Sequence, residues 1–299
     1  MTEFYSNGKL LLSAEYVVLD GALALALPTK YGQTLSIKPI PENESIWESY
    51  DADGHLWFKG TFTLTDFDFS AEGAIVKQLQ KILRFTRQLN PQFLKGNQNY
   101  KIKTKLNFPR NWGLGSSSTL INNIAQWARI DAYQLQFKCF GGSGYDIACA
   151  QHNRSVLYRL ENEKPLVKTV DFNPNFKEQL YFVYLNKKQN SREGIAHYQS
   201  LKNKGNKVLL EISDISKNIL TCNALSEFES LIEQHEAIIG KLIKTKPIKI
   251  QLFNDYFGAI KSLGAWGGDF ILATGNMDTP NFFNQKGFET VVPYAKIIL

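Results

Sequence analysis

One run, Pro109-Arg110-Asn111-Trp112-Gly113-Leu114-Gly115-Ser116-Ser117-Ser118, constrains this chain more than any other. Two glycines one residue apart let the backbone turn sharply and pass close to a ligand. Before them, Tyr100 to Asn107 alternates as a β-strand does. After them, Thr119-Leu120-Ile121-Asn122-Asn123-Ile124-Ala125-Gln126-Trp127-Ala128 reads as a helix. A glycine turn that opens a helix leaves N–H groups aimed at one spot, and the helix dipole adds partial positive charge there. Such an arrangement suits a phosphate. The serine hydroxyls can donate to phosphate oxygens or ligate Mg²⁺. The residues alone also allow a plainer reading, a helix capped by Ser116 or Ser117 after a glycine turn.

The run is neither of the common nucleotide loops. No G-x-x-x-x-G-K-S/T occurs, and Gly113-Leu114-Gly115 is followed by serines rather than the x-x-G of a dinucleotide fingerprint. Other catalytic patterns fail as well. His235-Glu236-Ala237-Ile238-Ile239 lacks the second histidine of a zinc-protease helix, and no G-x-S-x-G elbow occurs. His55, His152, His197 and His235 show no metal-ligand spacing.

Three further segments give the run company. Gly8-Lys9-Leu10-Leu11-Leu12-Ser13-Ala14-Glu15-Tyr16-Val17-Val18-Leu19-Asp20-Gly21 lies near the start. Gly142-Ser143-Gly144-Tyr145-Asp146-Ile147-Ala148 follows the run, and Leu263-Gly264-Ala265-Trp266-Gly267-Gly268-Asp269-Phe270 lies near the end. In order and content the four resemble the motifs of the GHMP kinases, which include galactokinase, homoserine kinase, mevalonate kinase and phosphomevalonate kinase. The first and last look closest to phosphomevalonate kinase. The resemblance spans roughly residues 8 to 270, and four parts in order are far more specific than one.

The resemblance implies an ATP-dependent phosphotransferase acting with Mg²⁺ on a small alcohol or phosphate acceptor, mevalonate- or phosphomevalonate-like. That chemistry needs phosphates held in place, their charge neutralised and an acceptor oxygen aligned. Gly113, Leu114, Gly115, Ser116, Ser117 and Ser118 match the phosphate loop, and Ser117 matches a Mg²⁺-ligating serine. Asp146 matches the base that takes or orients the acceptor's proton. Lys9 matches a lysine whose charge keeps that aspartate ionised and stabilises the developing oxyanion. Gly264, Ala265, Gly267 and Gly268 match a loop supporting the phosphate loop. Lys188, Ser191 and Arg192, in the segment Asn186 to Glu193, are candidate acceptor contacts. Outside the resemblance, Asp146 reads as a helix cap, Lys9 as a strand-end lysine, Gly267-Gly268-Asp269 as a turn, and residues 186–193 as a polar capped helix start.

The departures are specific. Between Ser117 and Asp146 stand Asp131, Gln134 and Gln136 but no glutamate to match the family's second metal ligand. Trp266 replaces a glycine. Its indole, with that of Trp112, is expected over the nucleotide or acceptor cleft. These departures carry the alternative, a catalytically impaired nucleotide- or metabolite-binding protein on the same fold.

Composition agrees with a globular enzyme. The 299 residues are 43% hydrophobic and 13% aromatic, enough to bury a core rather than stay disordered. Three unpatterned cysteines argue against a disulfide framework or zinc site and for a reducing, cytoplasmic setting. No basic leader precedes the opening Met1 to Tyr5, and the most apolar stretch, Tyr16 to Leu27, is broken by Asp20 and Gly21, so no membrane partner is expected. The net charge of +6 favours an anionic ligand. Lys77, Lys81, Arg84 and Arg87, and separately Lys241, Lys244, Lys246 and Lys249, read as solvated faces. No stacking motif supports nucleic-acid binding. The oligomeric state is not legible.

The pattern predicts an α+β chain. Strands are expected at Lys9–Ser13, Ala22–Leu27, Gln33–Lys38, Ile46–Tyr50, His55–Lys59, Tyr100–Leu106, Ser155–Leu160, Gln179–Leu185, Phe270–Ala273 and Thr290–Pro293. Helices are expected at Ala71–Leu89, Ser116–Ile130, Tyr145–His152, Ser191–Leu201, Lys207–Thr221, Ala224–Ile243 and Lys249–Leu263. The mixture lacks strict βα alternation. The resemblance implies a two-domain GHMP kinase-like fold with the active site in the inter-domain cleft, an ATP-binding domain over 1–155 and a second domain over 156–299. Glu161 to Pro165 reads as a linker or a hairpin.

Overall fold

A computed structural model describes residues 1–201 and 205–299 and divides them into two compact units. Unit one comprises 1–8, 31–110 and 114–151; unit two comprises 9–30, 111–113 and 152–299. The last break between the units falls at 151/152. Residues 9–30 and 111–113, expected with the N-terminal half, group with the C-terminal one.

Unit one is sheet and helix. Strand β1 (Thr2–Leu11) opens the chain, and the later part of β2 (Ala24–Ile40) pairs antiparallel with β5 (Asn99–Leu106), from Gln33↔Leu106 to Ile40↔Asn99. Strand β3 (Ser45–Tyr50) runs parallel to β5 and forms a hairpin with β4 (Leu56–Phe62). Helices α1 (Ala74–Leu89), α2 (Ser116–Ala128), α3 (Ala132–Cys139) and α4 (Tyr145–Gln151) complete the unit. α1 buries Val76, Leu79, Ile82, Leu83 and Thr86, three or four residues apart, as an amphipathic helix must. Leu79, Ile82 and Leu83 join Leu35, Trp47, Phe62, Ile121 and Ile124 in one core.

On the basic face of α1, Lys77, Lys81 and Arg84 are exposed, as expected, and Arg87 is half-buried. Arg87 donates to the carbonyls of Thr65, Phe93 and Leu94 and lies 4.0 Å over the Phe67 ring. Lys81 donates to the Cys139 carbonyl at 2.7 Å, and Arg84 pairs with Asp68 at 3.0 Å. These side chains tie down loop and helix ends. Helix α3 was not expected. It starts anew because Arg129 ends α2 in the left-handed region and Asp131 caps α3 by accepting the Tyr133 N–H.

Unit two holds the first residues of β2, paired with β6 (Val156–Glu161), and β6 forms a hairpin with β7 (Lys164–Thr169). Glu161 to Pro165 is thus a hairpin, not a linker. Asn162 and Glu163 both have positive φ, the twist a two-residue turn favours. A second sheet has the order β11-β8-β10-β9, built from β8 (Leu180–Tyr184), β9 (Ile260–Ser262), β10 (Phe270–Thr274) and β11 (Val291–Pro293). Helices α5 (Ser191–Ser200), α6 (Asn206–Thr221), α7 (Leu225–Ile243), α8 (Ile248–Leu252), α9 (Thr279–Gln285) and α10 (Tyr294–Ile297) complete the unit.

The helix expected over Lys249–Leu263 is instead α8 followed by β9. Gly258 breaks it: a Cβ there would lie 2.0 Å from the Thr274 carbonyl oxygen, so the chain passes flush against β10 and pairs with it. Phe253, Tyr256 and Ile260, which mimic helical spacing, pack with Ile271 and Phe283 in the core. The two strands expected at 22–27 and 33–38 are one, β2. At its midpoint Gly32 lets Asn107 Oδ1 accept its N–H at 2.6 Å. Among the described residues no helix is long and apolar enough to cross a membrane.

Candidate active site

In unit one, Leu114 to Ser118 become a helix start without a side-chain cap. Gly115 is the N-cap, in the left-handed region at φ 89, and no side chain accepts from the first turn. This removes the plainer reading: Ser116, Ser117 and Ser118 are the first turn itself. Ser118 donates to the Gly115 carbonyl at 2.8 Å, while Ser117 is exposed and Ser116 half-buried. The N–H groups of a helix start without a cap carry the positive end of its dipole.

Buried polar side chains fix this helix in place. Thr119 donates to Gln33 Oε1 at 2.8 Å, and Asn123 Nδ2 donates to the Gln33 carbonyl at 2.9 Å. Ser6 Oγ donates to Asn123 Oδ1 and accepts from Asn122 Nδ2. Each satisfied buried polar group adds directional constraint that apolar packing lacks. Sequence reasoning missed Thr119, Asn122 and Asn123. The available signal was polar residues on the helix face that Ile121 and Ile124 flank.

Asn122 also ties α2 to α4. Its Nδ2 reaches the Ala150 carbonyl at 3.4 Å, and Gln151 Nε2 donates to its Oδ1 at 3.1 Å. Asp146 sits in the first turn of α4. Ile147 N–H bonds to the Gly144 carbonyl, so Asp146 is inside the helix rather than its cap. Its Oδ1 is buried with no hydrogen-bond partner. A buried carboxylate oxygen left open costs free energy unless a ligand or proton completes it.

Unit two carries the other expected residues. Lys9 is half-buried on β1. Gly264, Ala265, Gly267 and Gly268 form the turn between β9 and β10, with Gly264 and Gly267 at positive φ. Asp269 follows, and its carboxylate lies flat against Gly113, at φ 68. Burial raises the Asp269 pKa, against the Gln189 N–H and the charges of Lys9 and Lys188, which lower it. Lys9, Lys188 and the third-motif loop are thereby brought together around one residue that sequence reasoning read as part of a turn. Ser191 and Arg192 are exposed at the start of α5. Asn190 caps that helix, accepting from Arg192 N–H and donating to Glu193. This is the expected polar capped start, and it leaves both side chains at the surface.

Trp266 does not stand as expected. It is 4% exposed, its ring edge faces Gly240 of α7, and the Lys261 ammonium is 5.9 Å from its ring. The indole is core packing in unit two. Trp112 packs edge-on against Phe270 at 5.3 Å.

Behind Trp266 lies a buried charge cluster. Lys261, fully buried, bonds Glu15 Oε1 at 2.7 Å and pairs with Glu236 at 3.2 Å. Ser262 donates to Glu236 Oε2, and His235 Nε2 accepts the Ala14 N–H at 2.9 Å. Burial pushes Glu15 up to about 7 against the pull of Lys261, and raises Glu236. Burial drives His235 well below its ordinary value, helped by Lys261, so the ring is neutral. The cluster holds the first motif at Ala14 to Tyr16, where Ala14 and Tyr16 both have positive φ, to α7 and β9. Elsewhere, Asp51, Asp53 and His55 bring ligand atoms within 4.8 Å of one another at the β3–β4 turn, a juxtaposition the histidine spacing did not suggest.

No protein-family model matches the sequence, and no curated protein matches it significantly. Solved structures match over nearly the whole chain. Methanococcus jannaschii mevalonate kinase is 17% identical, with TM-score 0.68 over 95% of this chain and 94% of that one. Streptococcus pneumoniae phosphomevalonate kinase, in complex with phosphomevalonate and AMPPNP, is 15% identical, with TM-score 0.69 over 100% and 98%. Lactococcus lactis galactokinase complexed with galactose is 12% identical, with TM-score 0.66 over 95% and 87%. The chain has the α+β fold of the GHMP kinases.

Proposed function

We propose that this protein is an ATP-dependent small-molecule kinase, transferring the γ-phosphoryl group to a small alcohol or phosphate acceptor of the mevalonate or phosphomevalonate kind. The start of α2, with its uncapped N–H groups and serine hydroxyls, carries the reading. Gly113 to Ser118 cradle the phosphates. Asp146, with an open buried oxygen, takes or orients the acceptor's proton. Lys9 stabilises charge developing on the attacking oxygen. Gly264, Ala265, Gly267 and Gly268 back the phosphate run, and Lys188, Ser191 and Arg192 contact the acceptor. Mg²⁺ fits the exposed Ser117 hydroxyl, since this ion keeps waters and phosphate oxygens around one or two protein ligands. When bound it would neutralise phosphate charge.

A second reading has one observation behind it. Asp131, the acidic residue between Ser117 and Asp146, is engaged as the α3 cap. A protein lacking a second metal ligand there would bind nucleotide without turnover. A titration with Mg-ATP, followed by an ATP-consumption screen against mevalonate, phosphomevalonate and galactose, separates the two. Binding with consumption supports the kinase, binding alone supports the second reading, and no binding overturns both.

A further inference from the structure

We infer that Asp269 is a positioning residue, fixing the Gly113 turn, where the phosphate run begins, to the turn 187–189, which carries Lys188. The inference rests on the phosphate-binding reading of the run. Four observations within unit two carry it.

The carboxylate straddles the Cα of Gly113. A Cβ at residue 113 would lie 2.3 Å from the carboxylate carbon and 2.4 and 2.7 Å from its oxygens. Only glycine permits this approach. Second, Asp269 is fastened to the neighbouring turn at three points. Its Oδ1 accepts the Gln189 N–H at 3.1 Å, its own N–H donates to the Lys187 carbonyl at 2.7 Å, and its carbonyl accepts the Leu185 N–H at 2.8 Å. Third, Lys9 and Lys188 both act on its charge, one from the first motif and one from the turn itself. Fourth, Asp269 has φ 52, a left-handed conformation that glycine or asparagine adopts at lower cost. Backbone geometry alone therefore gives no reason for an aspartate. The carboxylate does, because it is the atom group shared by the Gly113 turn, the Gln189 amide and two ammonium groups. Gly268 serves the same join: a Cβ there would lie 2.7 Å from the Lys187 carbonyl oxygen.

A rigid join of this kind makes occupancy of the phosphate run felt at residues 187–189. Holding one turn in place lowers the opening of the other, and opening is what amide exchange reads. The test is hydrogen exchange on the full chain with and without Mg-ATP. In the wild type, Mg-ATP is expected to slow exchange in peptides covering 113–118 and 187–192. Asp269→Gly, which suits the backbone but removes the acceptor, is expected to keep the first effect and lose the second. Asp269→Asn, which retains an oxygen for the Gln189 N–H, restores it. Asp269→Ala, which also removes the acceptor, gives a second route to the same loss should Asp269→Gly fail to fold. Full protection of 187–192 in a folded Asp269→Gly or Asp269→Ala chain overturns the inference. So does a wild type protected at 113–118 alone. A wild type protected at neither overturns the phosphate-run reading and this inference with it.

Discussion

Two polar regions of this chain use similar atoms to opposite ends. At the start of α2, backbone N–H groups and three serines gather at a helix end with no side-chain cap. Around Lys261, two carboxylates, an ammonium and a neutral imidazole gather where solvent does not reach. The first region leaves Ser117 exposed and Ser116 half-buried, while Ser118 is buried and bonded to the Gly115 carbonyl, so an anion can reach the first two at small desolvation cost. The second is closed to solvent and its charges pair with one another, although Glu15 Oε2, His235 Nδ1 and Glu236 Oε1 make no hydrogen bond; removing any member strands the others without solvent. Access to water, rather than hydrogen bonds left unmade, separates the two: the first can admit a ligand, and the second is a joint of the scaffold.

The sharpest test of the kinase reading is chemical and falls on α4. Asp146→Asn keeps the side chain's shape but cannot accept a proton, so kcat is expected to fall by about 10²–10⁴-fold with Mg-ATP affinity retained. Near-full turnover would remove Asp146 from proton transfer and leave positioning and charge neutralisation to do the catalysis. The closed region should fail in stability instead. Lys261→Met leaves Glu15 and Glu236 facing each other in a dry interior, and a loss of about 3–5 kcal/mol is expected in urea unfolding. A loss below about 1 kcal/mol, the size of a surface ion pair, would mean that water reaches the cluster.

A smaller effect is expected where a ligand meets the backbone. Gly115→Val places a branched side chain in a left-handed conformation at the helix cap. Mg-ATP affinity should drop at least tenfold, about 1.4 kcal/mol. Unchanged affinity in a folded variant would return the run to ordinary structure.

The closed region also predicts a slope with pH. The Glu15 pKa is raised from 4.5 to about 7 in the fold, mainly by burial. Below 4.5 both folded and unfolded chains hold its proton, and its contribution to stability is fully present. As pH rises towards 7 the unfolded chain releases the proton first, so that contribution is lost through the folded value. The wild type should therefore lose stability relative to Glu15→Gln between about pH 4.5 and 7, and no further above it. His235 has the opposite sign. Its depressed pKa withdraws stability as pH falls below 6.5, so a His235→Asn chain should lose less on the acid side. Melting temperatures across this range for the wild type and both variants measure the slopes, and parallel curves would mean the cluster does not titrate.

Much of the open region was legible in the residues. Gly-x-Gly before a run of small hydroxyls, between an alternating strand and an apolar-periodic helix, states a local geometry, and Gly115 and Ser116 occupy the places that geometry requires. Elements with clear periods, such as α1, α7 and β5, appeared within a few residues of their expected bounds. The helix expected over 249–263 failed because aromatic spacing imitated a helical face. The approach of Gly258 to Thr274 decided the matter, and that contact belongs to a partner strand. Trp266 failed for a related reason. It stands where the resembled motif has a glycine, which suggested a place over the cleft, whereas Gly240 on a distant helix makes room for its ring.

The sequence by itself determined the α+β class, the glycine–serine run that opens α2, the order of the four motifs and most element bounds. Those depend on local propensity, turn residues and hydrophobic period, which short segments carry within themselves. Only the tertiary structure decided that Arg87 and Lys81 are tethers, that Asp269 seats against Gly113, and that Glu15, His235, Glu236 and Lys261 close into one dry cluster. Each depends on residues far apart along the chain meeting at a set distance. The strength of a charge or hydrogen bond depends on that distance and on the water excluded around it, and neither is written in any one segment.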